Sequence, residues 1–231
     1  MLPVYLVEAC KFEIEQLNDF LFVIKDMLQD YEQKLEDWYS VEDLENMTRE
    51  EELQYERYID RFSNVVHDFP GRLYGSFIVS WYSFIEDSLI QLCRDMALKI
   101  TVDVDNQGRF DTGIRRARKF LEEGAGCVTD TKHWQELLAV SQVRNLIVHN
   151  RGILKFSIGK RKFKQSIEVI RDDIKYHLYI NKAIHNHLEK HALLGFSKNI
   201  FYIEPTYEYC QYLIEFATGF FDKLFRDLSL T

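Results

Sequence analysis

The chain has 231 residues, of which 46% are hydrophobic, so it can bury a sizeable core as one domain or as one domain with a helical extension. Three prolines and ten glycines supply too few turns for an all-β protein, which indicates a mostly α fold. The net charge of −8 does not exclude an RNA partner. Residues 26–61 contain thirteen acidic and four basic residues, so this segment accounts for the whole net negative charge.

Cysteine usage and apolar segments predict the cellular compartment. The four cysteines form no CxxC pair, and the N-terminal residues lack a positively charged leader. The most apolar run, residues 77–85, is far shorter than the ~20 residues of a membrane helix. We therefore expect a cytoplasmic protein with reduced thiols and no membrane partner.

The N-terminal third is predicted to be helical. Residues 4–38 have apolar side chains at helical spacing and predict a long amphipathic helix. Ser40, followed by acidic residues, predicts the cap of a second helix that stops before Pro70. We expect residues 1–70 to form an acidic helical hairpin packed on a bundle. Its default interpretation is a solvated helical pair, and mimicry or repulsion of nucleic acid is the alternative.

Residues 71–231 are expected to form the helical bundle itself. Residues 72–100 are apolar on most sides, as in a helix buried among others. A short helix follows over 113–123, and another begins at Asp130 or Thr131. Asn150 and Gly152 supply the stop signal of that helix.

The last part of the chain contains an insertion and a final helix. Three segments alternate between apolar and polar residues and predict short strands within a small β-containing insertion at about 153–203. They are residues 153–158, 175–180 and 199–203. Helical spacing returns over residues 206–228.

The segment VRNLIVHNRG, residues 143–152, contains the polar residues of greatest interest. On a helix, Asn145 and His149 lie within about 40° of each other, whereas Arg144 points about 140° away from His149. Arginine is a permanent, bidentate phosphate binder, and histidine transfers protons near neutral pH. Together they can cleave a ribose phosphodiester by using the 2′-hydroxyl of the RNA. This chemistry needs no metal and no cofactor.

Arg144, a polar Asn145 and His149 near the end of a helix resemble the R-x4-6-H motif of the HEPN superfamily. The likeness extends coarsely to WYSFIEDSL at 81–89 and to the C-terminal helix. It implies a HEPN-like bundle and a metal-independent endoribonuclease that leaves a 2′,3′-cyclic phosphate. Many such proteins are toxins or antiviral effectors, working as homodimers with two motifs facing one cleft. Such a protein could also have a protein antitoxin or a regulatory protein as a partner.

The resemblance assigns roles to four residues. Arg144 would hold the scissile phosphate, His149 would act as general acid or base, and Asn145 would position the phosphate or His149. Glu86 would orient Arg144 or His149, or else lie in water at the bundle edge. The alternative is a non-catalytic HEPN-like dimerisation or binding module, or a helical adaptor. His149 would then interact with the helix dipole, and Arg144 would form a salt bridge with Glu86 or Asp87.

Basic residues interleaved with aromatic ones predict an RNA-binding surface. A solvated turn would have a similar sequence, but the second basic run starts directly beside the proposed site. The candidate RNA-binding residues are Arg115, Arg116, Arg151, Lys155, Lys160, Arg161, Lys162 and Lys164.

The histidines of KAIHNHLEKH are a weaker signal. His187 and His191 lie at i, i+4 on one helical face, a spacing that can bind zinc. No cysteine is near, and Glu189 is not in the position of an H-E-x-x-H motif. We interpret His185, His187 and His191 as an exposed helix face and predict no metal site.

Overall fold

A computed structural model of the protein describes residues 4–38, 47–100, 113–124, 131–159 and 165–229. Helices dominate these residues, which confirms the mostly α class. The helices are α1 (Val4–Trp38), α2 (Arg49–Ser63), α3 (Phe69–Ile100), α4 (Ile114–Lys119), α5 (Thr131–Asn150), α6 (Lys182–Lys190) and α7 (Tyr207–Ser229). The strands are β1 (Phe156–Ile158), β2 (Ile167–Arg171), β3 (Ile174–Leu178), β4 (Leu194–Ser197) and β5 (Ile200–Ile203).

Four helices enclose the core. Helix α1 packs against α3 and α7, and α3 also packs against α5. Trp81 of α3 and Trp134 of α5 are fully buried, and the Trp134 ring meets Phe220 of α7 edge-on at 5.4 Å. Full burial of a purely apolar side chain such as Phe220 stabilises the fold by about 1.5–3 kcal/mol. The core therefore fixes α5 against α3 and α7.

Helices α2 and α3 are joined by helical residues with no break between them, so the predicted stop before Pro70 is wrong. A π-helical turn, Asn64–Asp68, links the two helices, and the Phe69 backbone N–H donates to the Asn64 carbonyl. Pro70 is the second residue of α3 and has no backbone N–H to donate, so one hydrogen bond is missing from the continuous helical segment. The chain nevertheless stays helical from α2 through the π-helical turn into α3.

The start of α2 also differs from the prediction. Ser40 lies outside the described residues, and the cap is Thr48. Thr48 and Glu51 form a capping box, in which the Glu51 carboxylate accepts from the Thr48 backbone N–H at 2.7 Å. These contacts lower the pKa of Glu51. None of the side chains of α2 is buried.

The predicted insertion contains two antiparallel sheets, one in the order β1-β3-β2 and one formed by β4 and β5. The three predicted strand segments contain β1, β3 and β5, whereas the sequence did not reveal β2 and β4. Both hairpins turn through two residues of positive φ, Asp172–Asp173 and Lys198–Asn199. Such turns usually contain glycine, and its absence hid them in the sequence.

The chain leaving α5 is pinned to the second sheet. The Leu154 backbone N–H donates to the Phe201 carbonyl at 2.8 Å, and the Ile203 N–H donates to the Gly152 carbonyl at 2.8 Å. The end of α5 is therefore held on both sides, by the bundle core and by β5. Among the described residues, no helix has the length and apolarity needed to cross a membrane.

Candidate functional site at the end of helix α5

The last turns of α5 expose the polar face that the sequence predicted. Val143 is fully buried, while Asn145, Val148 and His149 are exposed. Of the histidines whose burial is described, His149 alone is exposed. An exposed imidazole can exchange protons with a ligand in solvent, which a buried one cannot do without a channel.

Arg144 bends toward the face that Asn145 and His149 share. Its Nη1 donates to the Asn145 side-chain oxygen at 2.9 Å, and its guanidinium lies 5.7 Å from the centre of the Tyr82 ring. The Nε of Arg144 is buried and has no hydrogen-bond partner within the described protein. The guanidinium is thus held by one hydrogen bond and one ring contact and retains unused donors.

Tyr82 is the centre around which the charged groups gather. It is buried, and burial raises the pKa of its hydroxyl, whereas a hydrogen bond with Ser141 lowers it. The charge of Glu86 raises this pKa, and the charges of Arg144 and Arg115 lower it. All four neighbours therefore lie close to this ring. Sequence analysis missed Tyr82, although it precedes Glu86 by one turn of α3.

Glu86 faces Arg144 across this cluster. Burial raises the pKa of its carboxyl, and the positive charge of Arg144 opposes the rise. Both residues are described, and no ion pair joins them directly, so the predicted structural salt bridge between these two is not formed. A Cβ on Gly113, which precedes α4, would overlap the Glu86 carboxylate. Glu86 is therefore enclosed between α3 and the start of α4.

The exit from α5 has an unusual backbone. Arg151 adopts φ 53° and Gly152 φ 76°, and the Gly152 N–H donates to the Leu146 carbonyl at 3.0 Å. This bond spans six residues, one more than the corresponding bond of a Schellman motif, and two successive residues are left-handed. The first left-handed position after a helix is normally glycine. Here an exposed arginine occupies it. The predicted stop is confirmed, with Arg151 rather than Gly152 as the first left-handed residue.

The structure places part of the predicted basic surface. Arg115 is exposed and lies near Tyr82, Arg116 is half-buried, and Lys155 is exposed just before β1. The basic turn lies outside the described residues, so its RNA-binding role stays a prediction. It comprises Lys160, Arg161, Lys162 and Lys164.

The histidines of α6 are not an exposed helix face, and that prediction is wrong. The side chains of His185, His187 and His191 are 12%, 3% and 10% exposed. They turn inward because α6 packs against α5, whose Glu136 lies 3.2 Å from His187 Nδ1 and 3.3 Å from His191 Nε2. Glu136 is 51 residues away from His187 in sequence, so spacing along the chain could not reveal it.

Two tyrosines of α7 complete this second cluster. Tyr212 donates its hydroxyl to Glu136 Oε1 at 2.6 Å, and the Tyr209 hydroxyl lies 2.8 Å from His187 Nε2. Burial raises the pKa of Glu136, but its contacts with His187, His191 and Tyr212 outweigh this and hold the pKa below its ordinary value. Burial raises the pKa of Tyr209 and of Tyr212, and the negative charge of Glu136 adds to both shifts.

No family model matches this chain, and no curated protein or solved structure matches it.

Proposed function

We propose that the chain is a metal-independent endoribonuclease of the HEPN type, acting in the cytoplasm as a toxin or antiviral effector. The observation that carries this proposal is the hydrogen bond from Arg144 to Asn145. It draws the guanidinium toward the face on which Asn145 and His149 lie one helical turn apart. Without it, a helix would direct Arg144 about 140° away from His149.

The chemistry assigned to these residues is an internal transesterification, in which the RNA's own 2′-hydroxyl attacks the neighbouring phosphate. The 2′-oxygen of the ribose forms a bond to phosphorus while the bond from phosphorus to the 5′-oxygen breaks, leaving a 2′,3′-cyclic phosphate and a 5′-hydroxyl. Arg144 stabilises the charge that develops on the phosphate oxygens. His149 accepts the proton of the 2′-hydroxyl or donates one to the leaving oxygen, and solvent water exchanges the other proton. Asn145 holds the guanidinium in place.

Nearby groups extend the site. Arg115, Arg151 and Lys155 are exposed and supply positive charge for the RNA backbone. The basic turn, from Lys160 to Lys164, follows in sequence and is proposed to guide the strand. Glu86, whose pKa is raised by burial, is proposed to orient Arg144. A protein antitoxin or regulator, and a second copy of the chain, are the proposed partners.

The test compares RNA cleavage by wild-type chain, His149→Ala and a control, Arg171→Ala. Arg171 is an exposed arginine at the β2–β3 turn. Cleavage should survive a chelator and fall by about 10²–10⁴ in His149→Ala, the usual weight of a positioned acid-base group. The control should retain full activity. Activity that a divalent metal restores after chelation, in a chain that stays folded throughout, would refute the mechanism.

A non-catalytic binding module is the second candidate. Val148 and Ile153, each 45% exposed, lie one residue before and four residues after His149 in sequence and give this end of α5 apolar surface suited to a partner chain. RNA binding without cleavage by the wild-type chain would favour this candidate over the nuclease.

A further inference from the structure

We propose that Glu136, His187 and His191 bind a zinc ion and thereby join α5 to α6. One ligand atom from each of these residues lies within 4.8 Å of those from the other two. Two imidazoles and one carboxylate are the donor set of open zinc sites, which keep a fourth position for water or substrate. Hard ions such as Mg²⁺ and Ca²⁺ prefer oxygen ligands, so the donors favour zinc over both.

The distances between the ligand atoms suit a bound metal as well as a direct hydrogen bond. Glu136 Oε1 lies 3.2 Å from His187 Nδ1 and 3.3 Å from His191 Nε2. The edge of a tetrahedron with zinc bonds of about 2.0–2.1 Å is about 3.3–3.4 Å long, so two of its edges are already in place.

His187 provides an independent observation. Its Nδ1 is within ion-pair distance of Glu136, yet it is buried and its geometry gives it no hydrogen-bond partner within the described protein. Buried polar atoms are nearly always satisfied, so such an orphan needs an explanation. A metal ion bound at Nδ1 supplies the missing partner.

The surrounding groups form the outer shell that zinc sites usually have. With zinc at Nδ1, His187 carries its proton on Nε2 and donates it to the Tyr209 hydroxyl, 2.8 Å away. Tyr212 donates to Glu136 Oε1 at 2.6 Å and orients the carboxylate. Both tyrosines are neutral near pH 7, since the ordinary pKa of a tyrosine hydroxyl is about 10.

Lys190 is the group that opposes a metal. Its ammonium lies 3.4 Å from Glu136 Oε1, but its side chain is 57% exposed and can turn into water. Glu136 itself is 20% exposed, so the cluster has an open edge through which an ion and its water can enter. Lys190 is therefore more exposed than Glu136, His187 and His191, the three proposed ligands.

This site is separate from the proposed RNA-cleaving site. Glu136 precedes His149 by thirteen residues of α5, which is about 20 Å along the helix axis. The zinc would act on the packing of α6 against α5 and would not touch the phosphate. The inference is thus independent of the proposed function.

The test measures zinc binding by the full chain. Protein stripped with a chelator is dialysed at pH 7.5, where the ligands bind metal most readily, against zinc chloride and then analysed for metal content. Cobalt(II), which absorbs strongly in the visible when tetrahedral, reports the geometry. The variants are Glu136→Gln and His191→Gln. Glu189→Gln, an exposed acid on the same helix, is the matched control.

We expect one zinc per wild-type chain and per Glu189→Gln chain, with a higher melting temperature when zinc is present. Loss of an outer-shell group typically weakens a metal site about 10–100-fold, so loss of a ligand in Glu136→Gln or His191→Gln should weaken it by at least that much. Tyr212→Phe keeps all three ligands and is the alternative test of zinc binding if the ligand variants do not fold. It should weaken zinc binding within the same 10–100-fold range.

Absence of stoichiometric zinc in folded wild-type protein would overturn the proposal and leave a metal-free hydrogen-bonded cluster. Zinc binding that is equal in wild type and in the ligand variants would overturn it as well. Neither result affects the nuclease, because its test rests on His149 and on RNA products.

Discussion

Glu136 shows how much a single side chain can organise. Its Oε1 accepts from Tyr212, faces two histidines and lies near Lys190, so groups on α6 and α7 all meet on one residue of α5. A carboxylate held this way is partly desolvated and depends on its partners. Removing its charge should therefore cost more than removing an exposed one.

Glu136→Gln should lower the free energy of unfolding of the metal-free protein by about 1–3 kcal/mol near neutral pH. Because the folded-state pKa of Glu136 is depressed, its contribution is complete above the unfolded pKa of about 4.3 and is lost as the pH falls toward the folded value. The difference in free energy of unfolding between Glu136→Gln and the wild type should therefore become smaller at acidic pH. Urea denaturation in chelator at pH 6 and pH 3.5 measures this.

Glu215→Gln is the control for that experiment, because Glu215 is an exposed acid on α7. It should change stability by less than about 0.5 kcal/mol at either pH. A gap that stays constant from pH 6 to pH 3.5 in Glu136→Gln would contradict the depressed pKa.

Gly113 offers a second residue-scale prediction. A Cβ there would overlap the Glu86 carboxylate, and φ is +53°, which disfavours any L side chain. Gly113→Ala should lower the free energy of unfolding by more than about 1 kcal/mol. It should also reduce RNA cleavage if Glu86 orients Arg144.

Gly71→Ala is the matched control for that substitution. Gly71 lies in the first turns of α3, and an added Cβ would meet nothing within 4 Å. Alanine is the better helix former, so Gly71→Ala should raise stability by up to about 1 kcal/mol. Equal effects of both substitutions would contradict both the backbone strain at Gly113 and the contact with Glu86.

At the scale of elements, the sequence predicted the long helices, because their apolar residues recur with helical periodicity. Helices α1, α3 and α7 repeat apolar residues over many turns, so their predicted and observed ranges agree within a few residues. The π-helical turn before Pro70 has no such pattern, and β2 and β4 contain only five and four residues. Short elements depend on tertiary contacts that a local window does not contain.

The residues of the candidate site and of the Glu136 cluster also differ in whether the sequence could reveal them. Arg144, Asn145 and His149 are close in sequence and could be recognised from it. Tyr82 and Glu136 could not, because their importance arises only where α3 and α6 pack against α5. Contacts between distant segments are set by the fold as a whole.

The end of α5 gives an element-scale prediction about backbone strain. A non-glycine residue in the left-handed region costs about 1–2 kcal/mol, and Arg151 occupies that region beside the proposed site. Arg151→Gly should therefore raise the free energy of unfolding by up to about 1 kcal/mol while weakening RNA binding. Thermal denaturation and RNA titrations at two salt concentrations measure the two effects.

Lys198→Gly is the control, because Lys198 has φ 49° in the turn between β4 and β5. It should give a similar gain in stability and leave RNA affinity unchanged. Equal RNA affinity for Arg151→Gly and the wild type would mean that the arginine has no part in binding.

At the scale of the whole molecule, the open question is how many chains build one site. Arg144 contacts Asn145, but His149 lies a further turn along α5, and exposed Val148 and Ile153 lie near it in sequence. A second chain placed over this surface would bury both apolar side chains and bring a second Arg144 near His149. We therefore expect a symmetric homodimer by sedimentation.

If the two copies share their sites, mixing two inactive variants should restore activity. A mixed dimer of Arg144→Ala and His149→Ala chains retains one Arg144 and one His149 on different chains, so a site built across the axis regains both groups. A site within each chain cannot recover, because every chain lacks one of them. Subunit exchange is first demonstrated with differently tagged chains, and the RNA cleavage rate of the mixture is then compared with that of each parent. Since exchange forms mixed dimers in about half of the population at equal concentrations, and each has one complete site, the expected rate is about one quarter of wild type. A rate no higher than the parents despite proven exchange would place Arg144 and His149 of each site on one chain, with Arg144 held toward the shared face by its hydrogen bond to Asn145.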